Sequence, residues 1–552
     1  MPDGTLFTIE VAGADVRTED GDPNTAGIQV RSLNGRVDFA IGAPDEPGDV
    51  SVSAVHPVAG RCQGAIQLQA APGGEPSVAL DFTADALNDA DNTTALWDTI
   101  LGRVDPFPSD FGGGEDGALT VNGTYNINQH SQPGRLFPDA VNFSVVGLGD
   151  NSATVAGGVG GIDIGDEVLI INLQGTAAVH GNVGNFELLE VARIDYGLNT
   201  LYFTTSLRRA YGVADANDDL TGQQIMLQRV PHYTEVTLAG TLTANAWDGE
   251  RGGVVFLKAL GQVAVNSGSI TADSLGYRAG GRRRGESYAG WPNDVTPSRN
   301  FGGGGVHTDE RYSCGGGGGH ATQARHTRNG DRGGEGGLAY GDEDLARWFL
   351  GSGGGGGRSN YGARNGGTAG GIVVVWAGGI AVRGVVTARG AASGGCWHGG
   401  PGAGGTIFLR GRSLNVGNNR VRANGDDYGG DNPQASDGRI RLDFFGLAGT
   451  TDPEHHPGFA GDTTVRTLAL DHAVVPITEA TLSRVVSDER GGRLTYEITN
   501  NGVQWFEVAP GASVDFGDAV GNDLQLRVSF TNDNLQPLTL NGIVLTYSEA
   551  DP

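Results

Sequence analysis

The sequence predicts an all-β protein of several domains, built from β-sandwich and β-solenoid-like units together with one glycine-rich domain. Runs such as Leu6–Val11 and Leu524–Phe530 alternate apolar and polar residues with the period of two that a half-buried strand requires. A strand-bearing repeat recurs between residues 252 and 443. Glycine contributes 96 of the 552 residues, against a usual share of roughly 7%. This excess is local, so it predicts one unusual segment among otherwise ordinary domains.

The N-terminal part divides into two β-units joined by a linker. Residues 1–104 alternate like strands and form an N-terminal β-domain, our candidate for docking, in which only Ala95–Val104 has a helical pattern. Residues 105–116 carry a Pro and Gly cluster that cannot continue a strand or a helix, which predicts a linker. Residues 117–240 contain short, evenly spaced strands bounded by turns, as is typical of a β-sandwich or barrel.

The repeat defines a third unit, residues 241–447. Its copies open at Gly252, Gly370, Gly404 and Gly438, and each opening is followed by an apolar strand. Each copy offers two or three short strands that cannot bury both faces alone. We therefore expect the copies to stack around one shared core.

An insertion at 282–369 separates the first two copies and carries glycine runs at 302–305, 315–319 and 353–357. Such a composition is compatible with a flexible linker, because glycine has the most backbone entropy to lose. It is also compatible with packed polyglycine II helices, whose chains approach closely enough for lateral N–H···O=C bonds because they lack Cβ atoms. Aromatic residues between the glycine runs favour this second, ordered state.

The C-terminal part consists of a linker at 448–464 and a compact β-sandwich at 465–552. Its strands alternate cleanly, and the Asn501-Gly502 turn joins two of them.

The charge of the chain argues against two classes of partner. Its net charge of −27 repels nucleic acid phosphates and anionic lipids, so we expect no nucleic acid partner and no membrane insertion. Lys258 is the only lysine and follows leucine, which excludes a phosphate-binding P-loop. Three cysteines do not suggest a disulfide framework, and the N-terminus does not resemble a signal peptide. These features predict a surface protein that does not use the general secretory route.

Three segments resemble known surface proteins. Residues 164–281 resemble a segment of large glycine-rich bacterial surface proteins, through Gly165–Gly175, Gln228–Thr234 and Leu242–Gly249. The insertion is similar, in composition and in the spacing of its glycine runs, to the receptor-binding domain of phage tail-fibre adhesins. In that family, packed polyglycine helices display variable loops, and the resemblance implies the same arrangement here.

The C-terminal unit resembles small β-sandwich modules that end phage tail and bacterial surface proteins. Leu494–Ile498, Trp505 and Asp523–Val528 carry that resemblance.

Aromatic residues and a histidine in the glycine-rich loops are candidates for a receptor-binding face. Aromatic rings stack on sugars or fill protein pockets at little entropic cost. The alternative is that several of them close the ends of the glycine array, which we favour for Trp348 in its apolar Leu345–Leu350 segment. The candidates are Tyr288, Trp291, His307, Tyr312, Tyr361, Trp397 and Tyr428.

Two sets of residues could hold a metal, although no cofactor is otherwise expected. Asp426, Asp427 and Asp431 could supply oxygen ligands to calcium, but acidic turns are commonplace in so negative a chain. Cys314, His320, Cys396 and His398 are of the types that bind zinc, but their spacing matches no zinc finger or ribbon.

These observations predict a non-enzymatic virion protein of the tail tip or tail fibre that attaches to the host surface. The expected partners are other tail or surface-assembly proteins and a host glycan or protein, in a multi-copy assembly. One alternative is a bacterial cell-surface adhesin or extracellular filament subunit. A third is a capsule depolymerase, which would need two carboxylates about 5–10 Å apart in a groove.

Overall fold

The computed structural model confirms the all-β class, since no α-helix occurs among the residues it describes. Before residue 110 it describes seven separate strands. From there it describes residues 110–550, except for 214–215, 282, 293, 295, 307–313, 326–332, 360–361, 394–398, 427–433, 461–462, 474, 490–491 and 533–537.

The strands are numbered in chain order. They are β1 Leu6–Ala12, β2 Ile28–Arg31, β3 Gly48–His56, β4 Gly60–Leu68, β5 Ser77–Leu80, β6 Leu96–Asp98, β7 Arg103–Asp105, β8 Leu119–Val121, β9 Thr124–Asn126, β10 Asn142–Gly149, β11 Ser152–Val155, β12 Glu167–Gln174, β13 Phe186–Asp195, β14 Thr200–Phe203, β15 Gln224–Arg229, β16 His232–Tyr233, β17 Val236–Leu238, β18 Thr241–Thr243, β19 Val254–Val265, β20 Ser269–Thr271, β21 Gly357–Ser359, β22 Gly362–Arg364, β23 Ile372–Val382, β24 Val385–Thr387, β25 Thr406–Arg422, β26 Arg439–Asp452, β27 His456–Ala460, β28 Thr463–Arg466, β29 Asp471–His472, β30 Ile477–Asp488, β31 Gly492–Thr499, β32 Phe506–Val508, β33 Ser513–Asp515, β34 Asp523–Asn532 and β35 Thr539–Glu549.

Six strands, β10–β15, close into an antiparallel barrel in the order β10-β11-β14-β13-β12-β15. Both faces of strand β12 are apolar because each face packs against a different core. Val168 and Ile170 belong to the core inside the barrel, whereas Leu169 and Ile171 pack outside it against a neighbouring parallel sheet. The sequence region 117–240 is therefore divided, because β8, β9 and β16–β18 pair in that parallel sheet.

The parallel sheet is made by the repeat. Val254 lies opposite Ile372, Ile372 opposite Thr406, and Thr406 opposite Arg439, so the four copies stand side by side in equivalent register. Alternate residues of each strand face opposite ways. Val255, Val373, Ile407 and Ile440 fill a core between the two arms of the sheet. Val254 and Ile372 face the other way and belong to the core that the sheet shares with the barrel.

A column of glycines forms the corner between the two arms of the sheet. Gly240 separates β17 from β18, Gly268 separates β19 from β20, and Gly384 separates β23 from β24. A Cβ atom on Gly268 would overlap the carbonyl oxygen of Gly240, and one on Gly384 would overlap that of Gly268. The successive corners therefore stack too closely for a residue with a Cβ atom to occupy these positions.

The glycine runs of the insertion bond laterally through their backbones. Gly316 N–H donates to Gly305 O (2.9 Å), Gly355 N–H to Gly316 O (2.9 Å), and Gly400 N–H to Gly355 O (2.8 Å). A Cβ on Gly316, Gly355 or Gly400 would overlap a neighbouring carbonyl group, and none of the three has a left-handed φ. We call this hydrogen-bonded set of glycine segments the glycine lattice.

The C-terminal sandwich packs the sheet β28-β34-β31-β32 and its neighbour β29 against the sheet β33-β30-β35-β7-β6, which β5 joins at β35. The helix predicted over Ala95–Val104 was wrong, because Leu96–Asp98 pairs with Arg103–Asp105 in this sandwich. Val104 is fully buried in the sandwich core, and such tertiary pairing overrides a short helical pattern. Strands β1–β4 form a separate antiparallel sheet in the order β2-β1-β3-β4.

Candidate functional site

An open groove of about 670 Å³ lies between the barrel and the glycine-rich insertion. The barrel contributes the end of β12 and the turn after it, together with the start of β15. The insertion contributes Arg284, residues 289–292 and 299–301, and Leu338. The described residues that line this groove, called the Trp291 groove below, are Gln174, Gly175, Thr176, Ala177, Gly222, Gln224, Arg284, Ala289, Gly290, Trp291, Pro292, Arg299, Asn300, Phe301 and Leu338.

Trp291 is held by its surroundings on both faces. The guanidinium carbons of Arg278 and Arg283 lie 4.2 and 3.5 Å from its ring centroid. Two such groups cannot share one face at these distances without overlapping, so the ring is clamped between them. Its Nε1–H donates to Arg284 O at 3.2 Å. Trp291 is thus a half-buried wall of the groove, and its faces are occupied by protein.

Phe301 presents the most unusual backbone in the groove. It has a φ of 49°, a left-handed conformation that is an outlier for a bulky side chain. Asn300 and Gly303 exchange both backbone hydrogen bonds, at 2.8 and 2.7 Å, which fixes Phe301 at the tip of a tight turn. Strain of this kind clusters at binding sites, where it is part of how a side chain is aimed.

Tyr288 lies behind this turn in an aromatic cluster. Its ring centroid is 6.0 Å from that of Phe301 and 4.7 Å from that of Tyr340, and His180 packs edge-on against both Tyr288 and Phe301. Burial raises the pKa of Tyr288, so its hydroxyl stays protonated at neutral pH. Tyr288 O also accepts a hydrogen bond from Gly175 N–H at 2.9 Å, which ties the insertion to the barrel.

A fully buried carboxylate, Glu286, organises the back of the groove. Its Oε1 accepts hydrogen bonds from Gln174 Nε2 (3.0 Å) and Trp247 Nε1 (3.1 Å), and its Oε2 accepts two from Arg278 at 2.8 Å. The carboxylate therefore links β12, the segment between β18 and β19 that contains Trp247, and the insertion. Its neighbours in sequence, Gly285 and Ser287, are commonplace, and no sequence signal identified this residue.

Two ion pairs hold the outer loops. Arg284 Nε lies 2.6 Å from Asp294 Oδ1, and Arg299 Nε lies 2.9 Å from Glu335 Oε2. These carboxylates are therefore engaged with arginines at the rim of the groove.

Of the seven aromatic and histidine candidates, the structure brings Trp291 to the groove wall and Tyr288 to the cluster behind it. Trp348 is fully buried and stacks on Phe186 at 3.7 Å between the barrel and the sheet. The remaining candidates, which lie outside the described residues, are His307, Tyr312, Tyr361, Trp397 and Tyr428.

The proposed zinc set loses one of its ligands in the structure. Cys314 is disulfide-bonded, so its sulfur is not a thiolate available to zinc. His320 is buried beside Tyr340, its Nδ1 lies 2.8 Å from Gly404 O, and burial lowers its pKa to about 3. Cys396 and His398 lie outside the described residues.

For the calcium set, Asp426 is half-buried, while Asp427 and Asp431 lie outside the described residues. Within the part of the chain that the structure describes, no three His, Cys, Asp or Glu side chains form a cluster suited to a metal ion.

Comparisons with known proteins give weak likenesses. No protein-family model matches the chain, and no curated protein matches it. The tailspike gp49 of Pseudomonas phage LKA1 shares 12% identity over 74% of this chain and 81% of its own, with a TM-score of 0.13. The gp54 tailspike of Acinetobacter baumannii bacteriophage AP22, solved with A. baumannii capsular saccharide, shares 11% over 79% and 89%, with a TM-score of 0.13.

The Pseudomonas phage phi297 tailspike gp61 shares 9% identity over 79% of this chain and 86% of its own, with a TM-score of 0.12. Scores this low support no argument about fold or function. Among the described residues, no helix is long and apolar enough to span a bilayer.

Proposed function

We propose that this chain is a host-attachment protein of a virion tail tip or fibre, which binds a cell-surface saccharide in the Trp291 groove. The observation that carries the proposal is Phe301, a strained aromatic side chain fixed at the tip of a turn that lines an open groove. A left-handed phenylalanine costs roughly 1–2 kcal/mol, a cost that folding alone does not require because glycine would fit there.

The composition of the groove suits a sugar. Phe301, Pro292 and Leu338 supply apolar surface for the C–H faces of a pyranose. Gln224 and Thr176 supply amide and hydroxyl groups for its hydroxyls. Because arginines occupy both faces of Trp291, the ring that stacks on the sugar in this proposal is Phe301.

The glycine lattice acts as the scaffold, and we propose that its segments are packed polyglycine II helices. Lateral backbone hydrogen bonds, the absence of room for Cβ atoms and φ angles outside the left-handed region all support this assignment. A scaffold held by backbone bonds keeps the displayed loops in place before the ligand arrives, which lowers the entropic cost of binding.

The proposed activity is binding without hydrolysis. Most glycoside hydrolases use two carboxylates that flank the scissile bond. The nearby Asp294 and Glu335 are instead each paired with an arginine, Arg284 and Arg299. The alternative placement, a bacterial surface adhesin or filament subunit, would use the same groove in a different assembly.

The test uses a matched pair of variants on an array of bacterial capsular and O-antigen polysaccharides. Phe301→Gly removes the ring and relieves the strain, whereas Leu136→Ala removes an apolar, exposed side chain from the loop that precedes β10. We expect Phe301→Gly to lose at least about tenfold in affinity while its thermal stability stays unchanged, and Leu136→Ala to bind like wild type. Equal binding by both variants, or no binding to any polysaccharide, would overturn the groove assignment.

Two further measurements separate the alternatives. Release of new reducing ends from a bound polysaccharide would establish a depolymerase in place of the binding protein. Antibody labelling of virion tails in a lysate would support the tail placement, and labelling of intact producer cells would support the bacterial adhesin.

A further inference from the structure

A second aromatic and arginine cluster lies on the C-terminal sandwich, on a part of the chain that does not line the Trp291 groove. Trp505 is half-buried just before β32, and the guanidinium carbons of Arg527 and Arg466 lie 4.5 and 5.1 Å from its ring centroid. The preceding loop is open to solvent, since Val503 is 84% exposed.

The two arginines share one face of the sheet. Arg466 on β28 lies directly opposite Arg527 on β34, and Arg527 lies opposite Glu497 on β31. Their neighbours in sequence, among them Val465 and Leu526, are buried in the sandwich core. Because side chains alternate along a strand, this row points outward. Trp505 enters it from the β31–β32 connection.

One half of this row of side chains is positively charged, and the other half is negatively charged. Arg466 and Arg527 occupy β28 and β34, whereas Glu497 and Glu507 occupy the matching positions of β31 and β32. The fork between Arg527 and Glu497 uses Nε and Nη2, both at 2.6 Å, so the Nη1 edge of Arg527 is directed away from that carboxylate. The ring of Trp505 therefore adjoins the positive half of the row.

We propose that Trp505, Arg527 and Arg466 form a second saccharide site, selective for acidic sugars. The indole ring would contact the apolar face of the sugar, and the Nη1 edge of Arg527 would donate to its carboxylate, with Arg466 adding positive charge beside it. Gln525 Oε1 accepts from Arg466 Nη2 at 3.3 Å, and Glu497 holds Arg527, so each arginine is fixed in place. This inference stands independently of the function proposed for the Trp291 groove.

The test measures binding of the full-length protein to immobilised alginate, hyaluronan and polysialic acid, with neutral dextran for comparison. We expect at least one acidic polymer to bind more tightly than dextran. Trp505→Ala and Arg527→Gln should each weaken that binding by about tenfold or more. Arg484→Gln is the matched control, because it neutralises an exposed arginine on the opposite sheet and should leave binding unchanged.

Thermal denaturation of each variant shows whether the sandwich still folds. Arg527→Gln keeps the test valid if Trp505→Ala does not fold, because the Arg527 side chain lies on the outer face of the sheet. Phe301→Gly separates the two sites. An acidic polymer that binds Phe301→Gly normally but not Trp505→Ala supports the second site. Binding that Phe301→Gly abolishes and Trp505→Ala leaves intact overturns it, as does equal affinity for acidic and neutral polymers or binding to no acidic polymer.

Discussion

Replacing one glycine of the lattice tests whether backbone hydrogen bonds carry the stability of the insertion. In Gly355→Ala, the new methyl group would lie within 2.6 Å of Gly304 O and closer still to Gly305 O. The obstructing atoms are backbone, so they cannot rotate away as a flexible side chain would. We therefore expect the neighbouring segment to be displaced.

The size of the effect follows from the bonds that Gly355 makes. Its N–H donates to Gly316 O at 2.9 Å, and its carbonyl accepts from Gly400 N–H at 2.8 Å. Leaving the buried partners of both bonds unsatisfied costs about 1–3 kcal/mol for each group. We therefore expect the local opening free energy to fall by about 2–6 kcal/mol.

Gly281→Ala is the matched control, since its methyl group would meet Asn365 Oδ1 at 3.5 Å, an ordinary contact distance. We expect a change within about 0.5 kcal/mol. Hydrogen exchange monitored by mass spectrometry reports the local opening free energy directly. Protection over residues 302–306, 315–319 and 353–356 should collapse in Gly355→Ala and persist in Gly281→Ala. Equal protection in the two variants would refute the reasoning that the lattice depends on the missing Cβ atoms.

Two other perturbations test buried charge. Lys258 is fully buried with its Nζ 2.5 Å from Asp110 and 2.8 Å from Glu167. Lys258→Met should lower the free energy of unfolding in urea by about 3–5 kcal/mol, because it removes the buried cation with which the Glu167 carboxylate pairs. A loss below about 1 kcal/mol would contradict this. Burial lowers the pKa of His320 to about 3, whereas its pKa in the unfolded chain is about 6.5. As the pH falls from 6.5 towards 3, the unfolded state binds a proton that the folded state does not bind. The free energy of unfolding therefore falls by about 1.4 kcal/mol per pH unit over this range. His320→Gln should flatten the acid side of the stability curve measured over that range, and an unchanged slope would refute the assignment.

The repeat could be predicted from the sequence because residues at corresponding positions of its copies lie opposite each other in the sheet. Each copy begins with glycine and continues as an apolar strand, so aligning Gly370 with Gly404 also aligns Ile372 with Thr406, as in the sheet. The corner glycines gave a further usable signal. Gly268 and Gly384 each follow a long strand at a similar distance, and a spacing comparison among the copies would have found them.

The division between barrel and sheet could not be predicted, because it depends on pairing over long sequence distances. Strand β8 pairs with β17, more than a hundred residues later, and its Leu119–Val121 pattern is no different from that of a barrel strand. Local periodicity reports that one face is buried, but not against which partner.

Two of the candidate residues named from the sequence, Trp291 and Tyr288, lie in or beside the groove. Trp291 was identified by its residue type, but the arginine clamp on its two faces comes from residues 278 and 283, whose reach is set by the fold. Phe301 was not identified, because its left-handed φ follows from the turn closed by Asn300 and Gly303. A bulky residue followed by glycine does not by itself indicate such a turn.

The arrangement also explains how one chain could keep a rigid scaffold while its binding surface changes. In the glycine lattice, the stabilising groups are backbone amides, which every residue possesses, and sequence matters there only in that side chains are excluded. The side chains of the groove stand on turns at the ends of the glycine runs, as Phe301 does beside Gly302. Under the proposed function, a substitution at such a turn would alter what the groove binds without removing a lattice bond. A substitution within a run breaks the lattice without altering the chemistry of the groove, so the two kinds of variant should separate affinity from stability.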